Sequence, residues 1–134
     1  MLISPLLHHT LRHDHANLAI EEGELEGAKP GERMLIAPFH IHHSDDELFY
    51  VLSGEIGFIV GDEEFIAPTG SAVLVPQGAV HTWWNASESP SRYLMIMTAQ
   101  IDRLVQAIHD KYRSEEEMQQ LFADHDATLI GWNR

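Results

Sequence analysis

The chain has 134 residues, no cysteine, and 21 acidic against 8 basic side chains, which gives a formal net charge of -13 at pH 7. This length suits one domain with a single core, and the lack of cysteine excludes disulfides and thiolate metal sites. The acidic balance argues against nucleic acid or an anionic membrane as a partner, because both carry negative charge.

The N-terminal segment carries no signal for export or membrane insertion. Its first residues lack the charged and apolar regions of a signal peptide, and no window of the chain approaches the roughly 18 to 20 apolar residues that span a bilayer. We therefore expect a cytoplasmic protein. His8, His9, His13 and His15 lie in this segment, and because chain termini are usually mobile we do not assign them as metal ligands.

Short segments with strand character follow one another through most of the chain. Their spacing favours a β-sandwich or barrel over alternating helices and strands. Residues 23–31 are a turn-rich connection, and Gly61-Asp62 predicts a tight hairpin. The predicted strands cover residues 16–22, 33–42, 48–53, 55–60, 63–66, 72–75, 80–85 and 92–99.

Three histidines and one glutamate are candidate metal ligands. His40 and His42 are two residues apart, so they share one face of a strand. Glu47 follows at an odd offset, but the turn at residues 44–46 can reset the alternation and return its carboxylate to the same side. His81 comes from a separate strand. Nitrogen and oxygen donors from several strands can converge inside a small barrel, which predicts a metal site.

The same alternation predicts a pocket wall around these ligands. Residues an even number of positions before His40, after Glu47 or after His81 should face inward with them. The expected wall consists of Met34, Ile36, Phe49, Val51 and Trp83.

The strand that follows Glu47 is apolar on both faces. Leu48, Tyr50 and Leu52 should point away from the pocket, and an apolar outer face needs a cover. A second copy of the chain can supply that cover, so we expect a homodimer.

Two stretches resemble the signature motifs of the cupin family. The first has His, any residue, His, four residues, Glu, six residues and Gly, from His40 to Gly54. The second has Gly, five residues, Pro, any residue, Gly, two residues, His, three residues and Asn, from Gly70 to Asn85. In the first motif, cupins often have a Gly six residues before the first His, and in this chain that position is Met34. The resemblance implies an all-β fold, a double-stranded β-helix (jelly-roll) cupin barrel over about residues 15–99 with C-terminal α-helices, and ligand roles for both histidines of the first motif, its Glu and His81.

The residues after position 99 change to a helical period. Apolar residues recur at spacings of three and four from Ile101 to Tyr112. Ser114 and Glu117 then form a capping box that opens a second helix. We expect both helices to pack against the barrel, where they can act as a lid. This segment, about residues 100–134, is similar to the helical tail of small cupins related to quercetin dioxygenases.

The ligand set narrows the chemistry without naming the substrate. Three imidazoles and one carboxylate suit a divalent Fe, Mn, Ni, Co or Zn ion, and octahedral coordination leaves two positions for substrate or dioxygen. We interpret the chain as a metal-dependent dioxygenase acting on a small aromatic or enolic molecule, with Glu47 also as a general base. A metal-assisted isomerase, epimerase or lyase and a non-catalytic small-molecule-binding cupin are the alternatives. His43 should face solvent or support the site from outside, and Asp45 should be a solvated turn residue.

Overall fold

Two antiparallel five-stranded sheets form most of the molecule, and two helices follow them. The computed structural model describes every residue, 1–134. The elements are β1 (Thr10–Leu11), β2 (Leu18–Leu25), β3 (Phe39–His42), β4 (Glu47–Ser53), β5 (Glu55–Val60), β6 (Glu63–Pro68), β7 (Ala72–Val75), β8 (His81–Asn85), β9 (Ser91–Thr98), α1 (Ala99–Asp110), α2 (Glu115–Asp124) and β10 (Ala127–Gly131).

The strand order confirms the predicted all-β jelly roll. One sheet runs β1-β2-β9-β4-β7 and the other β10-β3-β8-β5-β6, so from β2 to β10 the chain alternates between the sheets except at the β5–β6 hairpin. The two sheets stay separate in their hydrogen bonding. The molecule is therefore a two-sheet jelly roll and not a closed barrel.

The core lies between the sheets, and strict alternation along the strands builds it. In β9, Tyr93, Met95 and Met97 are buried while their neighbours are partly exposed. In β4, Phe49 and Val51 are fully buried, which fits the inward direction inferred from Glu47.

The outer face of β4 is partly uncovered. Leu48 and Tyr50 remain about two-fifths exposed, as the alternation predicted. The homodimer that would cover this face stays a prediction, which light scattering can test.

Both predicted helices are present, and their caps explain where they begin. Helix α1 starts after Thr98, whose hydroxyl accepts a hydrogen bond from the Ile101 amide at 3.2 Å. The Ser114 capping box opens α2, with Glu117 accepting from the Ser114 amide in return. Neither helix is long and apolar enough to cross a membrane.

The structure differs from the expectation in the segment after α2. Residues 127–131, assigned above to a helical tail, form β10, which pairs antiparallel with β3. Five residues are too few for a clear periodic signal, and the pairing depends on a partner far away in the sequence. Because β3 carries two of the candidate ligands, the pairing with β10 at the edge of the sheet stabilises the strand that holds them.

A second difference lies before the first histidine. The strand predicted over residues 33–42 begins only at Phe39. Residues 36–38 are irregular, and Pro38 has no amide hydrogen for a sheet ladder. The alternation therefore cannot be extended back from His40 to Met34.

Candidate metal centre

The fold brings three of the predicted ligands together. His40 and His42 lie on the same side of β3, and His81 on β8 is the direct cross-strand partner of His40. One ring nitrogen from each histidine lies within 4.8 Å of the other two. All three rings are buried, so the cluster faces the interior and not the solvent.

Backbone carbonyls orient two of the rings. Nδ1 of His40 lies 2.7 Å from the Pro38 carbonyl oxygen, and Nδ1 of His81 lies 3.0 Å from that of Ala79. A carbonyl oxygen only accepts, so Nδ1 carries the hydrogen in both rings, and the neutral form of such a ring has its lone pair on Nε2. Metal-binding histidines are commonly oriented in this way by a second hydrogen bond.

Two ring nitrogens of the cluster have no partner within the protein. Nε2 of His81 and Nδ1 of His42 are buried and make no hydrogen bond. An unpartnered buried polar atom destabilises a fold by about 1–3 kcal/mol. A cation bound at Nε2 of His81 would satisfy that atom, so the donor set fits a divalent ion.

Burial keeps the rings in the form that binds metal. Burial, with His81 and His42 nearby, lowers the pKa of His40 to about 3. Burial and His81 lower the pKa of His42 to about 4, although the negative charge of Asp45 opposes the shift. Both rings are therefore neutral at pH 7, with a lone pair free for coordination.

Glu47 approaches the cluster from the other sheet. It begins β4, is buried, and places Oε1 3.5 Å from Nε2 of His81. Two donors each about 2.1 Å from one ion lie about 3 to 4 Å apart, so the Glu47–His81 spacing suits a shared ion. The atoms that all lie within 4.8 Å of one another come from the three histidines alone, so Glu47 joins the cluster through His81. The turn after His42 does reset the alternation, as the sequence suggested.

The turn residue Asp45 corrects an expectation. It was predicted to be solvated, but it is buried and accepts a hydrogen bond from Gln100 Nε2 at 2.7 Å. The contact holds the turn against the first turn of α1 and keeps a negative charge near His42. His43 is exposed as expected, and its Nε2 lies 2.7 Å from the Thr128 hydroxyl of β10.

A cavity of about 200 Å³ opens beside His40 and His42. Helix α1 closes one side of it, and Phe122 of α2 lies with its ring 5.9 Å from that of His40. The helices thus pack over the site, as predicted. The lining contains no lysine or arginine and consists of Glu21, Ile36, Ala37, Pro38, His40, His42, Glu47, Trp83, Tyr93, Met95, Ile101, Leu104, Val105, Ile108, His109 and Phe122.

The predicted pocket residues separate into three groups. Ile36 and Trp83 line the cavity. Phe49 and Val51 face inward but lie in the core between the sheets, and they do not border the cavity. Met34 departs from the expectation: its side chain is 69% exposed and outside the cavity, because the chain before Phe39 is not a strand.

The sequence analysis did not identify several cavity residues, and two of them, Glu21 and Tyr93, carry titratable groups. Glu21 lies on the inner face of β2, between the buried Ala19 and Gly23, and burial raises its pKa. Tyr93 lies opposite Gly23 on β9. Burial raises the pKa of Tyr93, and the nearby Glu21 and Glu47 raise it further. Alternation through the predicted strand over residues 16–22 was the signal that could have placed Glu21 inside.

Comparison with known proteins gives the family. The family model described as "Cupin domain" matches residues 25–97, more than half of the chain. An uncharacterised protein of Streptomyces coelicolor is 31% identical over 70 residues, which cover 52% of this chain and 55% of that protein. The match thus spans about half the length of this curated relative.

Solved structures agree at the level of the fold. A cupin protein of Bacteroides fragilis superposes with a TM-score of 0.59 at 19% identity, covering 73% of this chain and 80% of that one. A protein of Silicibacter pomeroyi, named as a sugar phosphate isomerase from a cupin superfamily, has a TM-score of 0.53 at 20% identity, covering 62% of this chain and 51% of that one. With the family match and the two-sheet jelly roll, these likenesses lead to one conclusion: the chain belongs to the cupin family.

Proposed function

We propose that this cupin is a divalent-metal-dependent dioxygenase that acts on a small, uncharged, enolic or aromatic molecule. The observation that carries the proposal is the position of the histidine cluster beside a mostly apolar cavity, whose wall includes two of the three rings, His40 and His42. An apolar cavity admits dioxygen and an uncharged substrate while it limits water.

The charge of the cavity argues for an uncharged substrate. Phosphate groups are usually held by arginine or lysine, and neither lines the cavity. Glu21 and Glu47 instead contribute carboxylates, which repel anions. The likeness to the sugar phosphate isomerase is one of fold, and the lining of this cavity does not favour a phosphorylated sugar.

Each residue of the site has its own role in this proposal. His40, His42 and His81 hold the ion, together with Glu47. When bound, such an ion supplies a Lewis acid and, for a redox-active metal, an electron-transfer centre. The Glu47 carboxylate, which lies on the cavity wall, accepts the proton of an enolic hydroxyl. The ring of Trp83 shields the cavity from solvent on the side of β8.

Oxygen consumption tests this proposal. The metal-free protein is reconstituted with Fe(II), Mn(II), Ni(II), Co(II) or Zn(II) and mixed with flavonols and β-diketones while dissolved oxygen is recorded. We expect uptake with at least one redox-active metal and none with Zn(II). His81→Ala should abolish uptake, and His43→Ala, a change at an exposed ring, should leave it intact. The absence of oxygen uptake with every metal and substrate tested would contradict the proposal.

A second candidate is a metal-assisted isomerase, epimerase or lyase. It is favoured by Glu21, a half-buried carboxylate whose raised pKa suits proton transfer. Tyr93 beside it offers a hydroxyl on the same cavity wall. Such a pair can move a proton next to a carbonyl without oxygen.

Proton exchange without oxygen separates the two candidates. Small hydroxyketones and diketones are incubated anaerobically with the metal-loaded protein in deuterium oxide, and NMR follows deuterium incorporation. Exchange or isomerisation that Glu21→Gln removes would support the second candidate. Activity that requires oxygen and survives Glu21→Gln would support the first.

A further inference from the structure

We infer that the surface groove between α2 and β10 is the outer half of the substrate site, and that Phe122 separates it from the histidine cavity. The inference rests on the proposed function, because it takes the cavity beside the histidines as the place of reaction. It adds to that function a second compartment and a boundary residue. It also describes the ligand, which has a chelating head in the histidine cavity and an apolar tail in the groove.

The groove is larger than the inner cavity. Its volume is about 520 Å³, against about 200 Å³ for the cavity. Pockets for small organic ligands usually measure about 300–1,000 Å³. The inner cavity alone therefore holds a head group, and a whole ligand of ordinary size needs space beyond it.

The two compartments share a wall. Ile36, Pro38, Ile108 and Phe122 line both of them. Phe122 is 3% exposed, and its ring packs edge-on against that of His40. Phe122 therefore lies between the cavity and the groove. A substituent that extends outward from a ligand bound at the histidines contacts Phe122 before it reaches the groove.

The chemistry of the groove indicates what the outer end of the ligand is. Its lining is largely apolar, and three large residues on its rim are exposed: Ile36 by 41%, Ile130 by 42% and Trp132 by 59%. Arg113 borders the groove, but it already pairs with Asp110 at 3.0 Å and with the Ala107 carbonyl oxygen. No free cation is left for an anionic tail, and the exposed indole suits a flat apolar one.

Two chelators with the same head and different tails test the inference. Acetylacetone and benzoylacetone both bind metal through two oxygens, and benzoylacetone adds a phenyl ring. Each is titrated into the Co(II)-loaded protein, and the visible absorption of Co(II) reports arrival at the metal. Metal content is measured after each titration, so that extraction of Co(II) is not taken for binding.

The variants probe the groove and its boundary separately. Trp132→Ala should weaken benzoylacetone binding about tenfold, because the phenyl ring loses its aromatic contact, and should leave acetylacetone unchanged. Tyr112→Ala is the matched control, since Tyr112 is an aromatic residue of the same segment that is 93% exposed and outside the groove.

Phe122→Leu should speed the association of benzoylacetone relative to acetylacetone in stopped-flow mixing. Because Phe122 is buried, Ile36→Trp provides a second boundary variant at a partly exposed position, and it should slow benzoylacetone selectively.

The outcomes distinguish this inference from the proposed function. If Co(II) or acetylacetone does not bind at the histidines, the proposed function fails and the inference falls with it. The other outcome is that acetylacetone binds normally, but Trp132→Ala and both boundary variants change the affinity and association rate of the two chelators equally. The groove is then not part of the site. In that case the proposed function stands and the inference alone is overturned.

Discussion

Oε1 of Glu47 lies 3.5 Å from Nε2 of His81, and the two residues belong to different sheets of the jelly roll. Both side chains are buried, and Nε2 of His81 has no hydrogen-bond partner. The packing of the sheets therefore holds a carboxylate beside an unsatisfied ring nitrogen. A cation bound between the carboxylate and this nitrogen would satisfy both, so the pair is a direct probe of metal binding.

Replacement of Glu47 by Gln should stabilise the metal-free protein and weaken its binding of metal. The amide can donate a hydrogen bond to Nε2 of His81 and removes a buried carboxylate, so the metal-free variant should be more stable by about 1 kcal/mol. The same change removes an anionic ligand, so Co(II) binding should weaken at least tenfold, a floor of about 1.4 kcal/mol. Urea unfolding and metal titration measure the two effects. A variant that is both less stable and equally tight for Co(II) would contradict this account of the pair.

The metal-free protein should lose stability as the pH falls from 6.5 towards 4. His40 and His42 have folded pKa values of about 3 and about 4, below the ordinary 6.5 of an unfolded histidine. The unfolded chain thus binds more protons in this range, and the stability from these rings is fully present above pH 6.5 and is lost below it. Urea unfolding at a series of pH values gives the slope. His42→Asn should make it shallower, whereas His43→Asn, at an exposed ring, should not.

Asp45→Asn should weaken metal binding without unfolding the protein. The Asn oxygen can still accept the hydrogen bond from Gln100, but the negative charge near His42 is gone. Changes to groups that support metal ligands typically lower affinity by about 10–100-fold, and we expect the lower end of this range. Asp62→Asn removes the same charge at a fully exposed position and serves as the control. Equal Co(II) affinity in the two variants would show that Asp45 has no influence on the site.

Two glycines with similar backbone conformations should respond differently to alanine. Gly54 and Gly61 have φ of +81° and +60°, so alanine at either position adopts a left-handed conformation that destabilises by about 1–2 kcal/mol. A Cβ at Gly54 would also lie 2.1 Å from Oγ of Ser91, whereas nothing lies within 4 Å of one at Gly61. Gly54→Ala should therefore be the more destabilising change in thermal unfolding, and an equal loss would mean that Ser91 can move aside freely.

The sequence predicted the parts of the fold that depend on local alternation. The inward direction of His40 and His42, the outward direction of Leu48 and Tyr50, and the Ser114 capping box each follow from a few neighbouring residues. Such patterns survive folding because strand and helix periods fix which side chains share a face.

The parts that were missed depend on distant contacts or on backbone irregularity. Strand β10 forms because β3, whose paired residues lie 85 to 92 positions earlier in the chain, offers a free edge. Asp45 is buried because Gln100 of α1 reaches it. Met34 is exposed because the chain around Pro38 breaks the alternation. The partners of β10 and Asp45 are not visible from the neighbouring residues, whereas Pro38 lay inside the predicted strand and was a local signal that the alternation stops.

The most direct measurement of the central claim is the stoichiometry of metal binding. Metal-free protein is dialysed against Co(II), and bound metal is determined by elemental analysis for the unchanged chain, His81→Ala and His43→Ala. We expect one ion per chain, with visible absorption bands typical of histidine ligation, in the unchanged chain and in His43→Ala, and no bound ion in His81→Ala. An unchanged chain that stays empty in excess Co(II), or a His81→Ala variant that binds as well as the unchanged chain, would contradict a metal centre at these three histidines.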